Sequence, residues 1–330
     1  MRARLALMTA LCALALSAAT ALAQGTKLSP PLPPSSPPPV AKPEANGDKS
    51  KVDLAYAAFQ RGYYLTALNL ATKRAQANDP TAMTLIGEIY SQGLGVGRDD
   101  KKAAEWFKLA SERGNADAMF ALAMFKFQGR GGARDPQEGA RLLSEAAKLG
   151  HPLAAYDLGL LYLDGNQFPK DFKRAAELLR GAADAGNPEA QFALATMYKE
   201  GRGVPKDLHE AMQLMNKASI AGNLDAMVEF AIAQFNGDGT PKNESAAAQL
   251  FLKAARRGSA IAQNRLARIL MAGRGMPANP TEAIKWHLIA RARGSGDPDL
   301  DVYAGKQSKE VRDTAQKAAN KWLATARPPT

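Results

Sequence analysis

The chain has 330 residues, with 43 Lys+Arg against 32 Asp+Glu (net +11 at pH 7), three histidines and one cysteine. Aromatic residues make up only 7% of it, which argues against a large β-rich core and suits closely packed small helices. A lone cysteine excludes a disulfide framework and a thiolate zinc site within one chain.

Arg2 and Arg4 precede an apolar run from Leu5 to Ala18, and Ala21-Leu22-Ala23 is a small-x-small cleavage site. This predicts a signal peptide over residues 1–23, with Gln24 the mature start and an exported, periplasmic destination. The run is shorter than the ~20 residues that span a bilayer, so no transmembrane span is expected in the mature chain. Cys12 lies inside the leader, after Thr9-Ala10-Leu11, which lacks the small residue of a lipid-attachment site. Residues 24–50 carry Pro30, Pro31, Pro33, Pro34, Pro37, Pro38, Pro39 and Pro43. Proline fixes its own φ and donates no hydrogen bond, so this stretch reads as an extended linker.

Residues 51–78 read as one capping helical hairpin, turning at Gly62. From Asp79 to Gly294 the same skeleton returns every 36 residues, six times. A closing glycine recurs at Gly114, Gly150, Gly186, Gly222, Gly258 and Gly294, and a mid-repeat glycine at Gly93, Gly129, Gly165, Gly201, Gly237 and Gly273. A fixed period of this length signals a stacked array whose units share one continuous core.

Each unit opens on Asp79, Asn115, His151, Asn187, Asn223 or Ser259, and Ser295 follows the last. All but His151 are good helix N-caps. A short helix A is predicted from there to the mid-repeat glycine, which supplies a C-cap. A second N-cap column, Asp99, Asp135, Asp171, Asp207, Asn243 and Asn279, opens helix B, which runs to the closing glycine. Large residues in helix A (Ile86, Leu122, Leu158, Leu194, Phe230, Leu266) stand beside small ones (Gly87, Ala123, Gly159, Ala195, Ala231, Ala267). In helix B the expected large core column is Trp106, Leu142, Leu178, Leu214, Leu250 and Trp286. Residues 295–330 read as a C-terminal cap and tail, with a turn or short helix over Asp297–Asp301 and an amphipathic helix over Ser308–Ala324.

The pattern A-x-x-x-L-G/A-x-x-Y-x-x-G-x-G-V-x-x-D-x-x-x-A-x-x-W/L-x-x-x-A-x-x-x-G resembles the Sel-one-like repeat, a relative of the tetratricopeptide repeat. Gly201-Arg202-Gly203-Val204-Pro205-Lys206-Asp207 is a close match to its loop. Departures are local: Gly139 replaces a helix B alanine, Lys126, Gln234 and Leu270 replace the tyrosine, and Gln167 replaces the second loop glycine. The resemblance implies an all-α fold, a right-handed α/α solenoid of six 36-residue helix-turn-helix repeats with helical caps at both ends. It also implies a scaffold with no chemistry of its own. Some exported relatives regulate signalling or exopolysaccharide production by binding a membrane sensor. Some cysteine-rich relatives have been linked to β-lactam hydrolysis, a parallel that a thiol-free mature chain removes.

No catalytic, cofactor or metal site is expected. The glycine loops follow helices and lack the Gly-Lys-Ser/Thr of a phosphate loop. His151, His209 and His287 occupy three different repeat positions, as isolated surface or boundary histidines would. No glycine-flanked nucleophilic serine is present, and Asp99 with Asp100 merely opens a helix.

Charge is asymmetric: residues 24–249 hold 26 basic and 26 acidic groups, residues 250–330 hold 15 and 6. This basic end could meet an acidic protein or an acidic polysaccharide; nucleic acid is not expected of an exported chain without an aromatic platform.

In helix A, the stripe opposite the core holds the column Glu88, Met124, Leu160, Thr196, Ile232, Arg268 and its neighbour Leu85, Ala121, Asp157, Ala193, Glu229, Arg265. The candidate partner-binding residues are therefore Met124, Leu160, Thr196, Ile232, Asp157, Glu229, Arg265 and Arg268. An apolar strip rimmed by charge fits a peptide or helix groove. The expected function is a non-enzymatic adaptor of the cell envelope, with a membrane sensor or envelope protein as partner. The alternative is an envelope carbohydrate or anionic-surface binder using Arg265, Arg268 and Arg274; a cell-wall or β-lactam hydrolase is third.

Overall fold

The computed structural model describes residues 53–325, so the predicted signal peptide and proline-rich linker lie outside the described residues. Among the described residues there are sixteen α-helices and no strand. The fold is an α/α solenoid of six 36-residue repeats.

The described residues divide into two compact units, one ending at Asp171 and the other beginning at Phe172. In the first, α1 (Leu54–Gln60) and α2 (Tyr64–Gln76) form the leading hairpin. Then come α3 (Pro80–Gln92) with α4 (Asp100–Ser111), α5 (Ala116–Gln128) with α6 (Pro136–Lys148), and α7 (Pro152–Asp164). The second unit opens on α8 (Phe172–Asp184), helix B of the third repeat. It continues with α9 (Pro188–Glu200), α10 (Leu208–Ile220), α11 (Leu224–Asn236), α12 (Glu244–Arg256), α13 (Ala260–Ala272) and α14 (Pro280–Ala292). It ends on α15 (Pro298–Gly305) and α16 (Lys309–Thr325).

The repeated residues do the local work their chemistry allows. Asn187 accepts the Ala190 N–H at 2.7 Å and Asn115 the Ala118 N–H at 2.8 Å, satisfying orphan donors of the first turn. His151, expected to break the column, caps as well: its Nδ1 accepts the Ala154 N–H at 3.1 Å. Mid-repeat glycines such as Gly201 (φ 73°) end helix A in the left-handed conformation. The first N–H of each unit turns back to the helix B alanine five residues earlier, as from Asn187 to Ala182 and from Asn223 to Ala218.

Two departures from the repeat are compensated. Across each loop the helix B cap donates its N–H to the carbonyl of the tyrosine column, as from Asp207 to Tyr198, Asn243 to Gln234 and Asn279 to Leu270. That bond is made by backbone, so side chains there vary freely. At Gly139 a Cβ would crowd the buried ring of Phe127, so a larger ring on helix A is balanced by a smaller residue on helix B.

Other expectations need correction. In helix B the deepest column lies one residue later than predicted, at Phe107, Leu143, Leu179, Met215, Phe251 and His287. Trp106, Leu178 and Leu250 are only half-buried. Ser295 caps no helix; Asp297 caps α15, which runs on to Gly305. On the leading hairpin, read as a cap, Leu54, Tyr63 and Leu65 are exposed, whereas the end unit of a stacked array needs a polar outer face.

Gln167 stands where five repeats have Gly95, Gly131, Gly203, Gly239 and Gly275, all with φ between 69° and 76°. A Cβ at Gly203 would overlap the Phe172 carbonyl, and one at Gly131 the Asp100 carbonyl. Those loops therefore lie against the preceding helix B as only glycine permits. Gln167 does not adopt a positive φ, and the chain divides four residues later.

Candidate functional site

The stripe of helix A opposite the core is half-buried along its central column: Glu88, Met124, Leu160, Thr196, Ile232 and Arg268 all fall between core and full exposure. The core columns behind it are closed, with Ala190, Leu194, Ala195 and Met197 buried.

In the first unit the stripe runs over Leu85 and Glu88 of α3, Ala121 and Met124 of α5, and Asp157 and Leu160 of α7. Asp157 was expected at an accessible rim; instead it is 6% exposed. No hydrogen bond or ion pair reaches its carboxylate among the described residues, and burial pushes it up to about 6, opposed only by His151. Burial also raises Glu88, whose one donor is the Gln92 amide at 2.9 Å.

His151 is not isolated. Its ring stacks on Phe120 at 4.7 Å, and its Nε2 lies 3.3 Å from Asp117. Because Nδ1 accepts from backbone, the network assigns the proton of the neutral ring to Nε2, directed at Asp117. That hydrogen bond holds the Asp117 carboxyl below its ordinary value.

In the second unit most predicted partner-binding residues are engaged internally. The Thr196 hydroxyl donates to the Phe192 carbonyl at 3.0 Å. Lys199 Nζ sits 2.7 Å from Glu229, joining α9 to α11. Ile232 packs on the core around Phe251 and Leu266. Arg268 reaches Asp297 at 2.5 Å and Asp299 at 3.2 Å, while Arg265 alone of the eight is exposed. Arg268 and Asn264 together hold Asp297 below its usual range although burial opposes them.

Part of the basic end is also committed. Arg274 pairs with Glu244 and stacks 4.6 Å from the Phe235 centroid. Arg257 donates to the Gly222 carbonyl (2.8 Å) and Arg293 to the Gly258 carbonyl (2.9 Å), each 35 residues back. These bonds bind closing turns of successive repeats. The sequence signal for them was an arginine directly before the closing glycine. His287, taken as a boundary residue, is 1% exposed, and its Nε2 meets Asp301 at 2.8 Å. It occupies a core column that is apolar in the other five repeats, and it ties α14 to α15.

Among the described residues no three His, Cys, Asp or Glu side chains converge as metal ligands, and no helix is long and apolar enough to cross a membrane.

Comparison with known proteins bears on this arrangement. The Sel1 repeat model matches six consecutive stretches, residues 80–115, 116–151, 152–187, 188–223, 224–259 and 260–295. A Sel1 repeat protein from Oxalobacter formigenes is similar in structure, with 26% identity and a TM-score of 0.62, over 72% of this chain and 94% of that one. A protective antigen of uropathogenic Escherichia coli displaying an SLR fold gives 24% identity and a TM-score of 0.56, over 79% of this chain. This chain spans 64% of that antigen, and the likeness concerns the fold alone. The search of curated proteins found no match.

Proposed function

The chain belongs to the Sel1 repeat family, and on that premise we propose that it is a non-enzymatic scaffold that binds a protein segment on the outward, half-buried stripe of helix A. Sel1 repeats generally mediate protein–protein interaction. The observation that carries the assignment is the stripe itself. Its central column holds Met124, Leu160 and Ile232 half-buried rather than closed. Residues that preserve the fold repeat in every unit, whereas this column changes from unit to unit. Variation in outward columns beside a repeated framework is what a surface adapted to a partner requires.

The leader expected over residues 1–23 supports a partner in the cell envelope, a membrane sensor or envelope protein, with signalling or exopolysaccharide production as the regulated process. The alternative, an acidic polysaccharide on the basic end, is weaker. Of Arg265, Arg268 and Arg274, the last two already hold carboxylates of this chain. A hydrolase has no support in the arrangement of polar side chains described above.

Affinity capture from envelope extract tests the reading. Changing Met124, Leu160 and Ile232 together to Glu should abolish retention of the specific partner while the melting curve stays cooperative. Retention of every partner by the folded triple variant contradicts it.

A further inference from the structure

We propose that the helix A face of the first unit holds a site for a cationic side chain, Lys or Arg, presented by a partner peptide beside an apolar residue. Asp157 receives the charge, and Met124 and Leu160 receive the apolar flank. The proposal rests on the scaffold reading and names the chemistry of its partner.

The repeat carries its own template for such a site. Asp157 and Glu229 occupy the same column, two repeats apart. At Glu229 the cation is internal, because Lys199 on the preceding helix A places its Nζ 2.7 Å away. The position equivalent to Lys199 relative to Asp157 is Phe127, whose ring is buried over Gly139. The first unit thus has the acid of the pair without its lysine. Asp157 is 6% exposed with no hydrogen-bond or ion-pair partner among the described residues, a costly state for a carboxylate, and its oxygens are not wholly closed off from an incoming cation.

Neighbouring groups do not fill the role. Both His151 nitrogens are engaged, by Ala154 and by Asp117. Among the described residues no lysine or arginine acts on Asp157, and Glu88 adds a second half-buried carboxyl to the stripe. A metal ion is a poor occupant, since no third ligand converges. A guanidinium or ammonium needs only one carboxylate and an apolar wall for its stem. Leu160 stands three residues from Asp157 on the same face of α7, and Met124 occupies Leu160's column on α5.

Methyl NMR of the full chain tests the site with acetyl-Leu-Arg-Leu-amide and its neutral citrulline analogue. The arginine peptide should shift the Met124 and Leu160 methyls saturably, with affinity about tenfold or more above the citrulline peptide, as a charge-assisted contact implies. Asp157→Asn should erase that preference and Asp157→Glu should keep it. No saturable shift, equal response to both peptides, or an unchanged preference in Asp157→Asn overturns the proposal. If the captured partner is lost by the Met124, Leu160 and Ile232 triple variant but bound equally by Asp157→Asn, the scaffold stands and the cation site fails. If the triple variant keeps the partner, the scaffold reading itself fails.

Discussion

Asp157 is a buried carboxyl without a donor, held at about 6 by desolvation. An acid raised above its unfolded value near 3.9 binds more protons folded than unfolded between the two values. Stability therefore falls as pH rises from about 4 to about 6, and the penalty is fully present above that, on the order of 2–3 kcal/mol. Asp157→Asn should raise the melting temperature at pH 7 and flatten its decline between pH 4 and 6. A lower melting point at pH 7 would mean the carboxylate is stabilised by something else. His287 is the second residue to test, since it fills an apolar column yet pairs with Asp301. His287→Leu should leave the array within about 1 kcal/mol, as near-isosteric core swaps do. It should also speed amide exchange across Pro298–Gly305 several-fold, because α15 loses its tie. Unchanged exchange there would remove that role. Neither residue's environment was legible in the sequence. Spacing alone does not say which of two adjacent helix B columns points deeper, nor whether a charged helix A position is covered by its neighbours.

At the scale of helices and loops, much more was legible. The N-caps at Asn115, Asn187 and Asn223, and the left-handed glycines at Gly129, Gly201 and Gly237, lie where their chemistry puts them. Such residues act through the backbone within three or four positions, so local pattern suffices to find them. Contacts made 30 residues away were not legible, such as Arg130 with Asp100 (2.7 Å) or Arg274 with Glu244. The loop glycines give a contrast to measure. Gly203 has φ 70° and a Cβ there would overlap the Phe172 carbonyl, whereas Gly97 has open space and no positive φ. Gly203→Ala should cost about 2 kcal/mol or more, and Gly97→Ala should be neutral or stabilise by up to about 1 kcal/mol. Denaturant melts check both; equal midpoints would show that the close approach contributes nothing.

For the whole chain, net charge predicts less than it first implies. The excess of basic groups lies beyond residue 250, yet Arg257, Arg268, Arg274, Arg291 and Arg293 are bound to carbonyls or carboxylates of the chain. Internal pairing makes that end a fastened terminus of the array, with Arg293 also lying 4.8 Å from the Trp322 ring. On the proposed function, recognition falls to helix A, where the outward residues differ from repeat to repeat. Site-specific photo-crosslinking in the native cell tests this most directly. One probe replaces Thr196 on the helix A stripe, and a second replaces Lys101, exposed on helix B of the first repeat. The stripe probe should give a discrete crosslinked protein and the helix B probe none; equal crosslinking from both, or crosslinking from Lys101 alone, would contradict a helix A binding face.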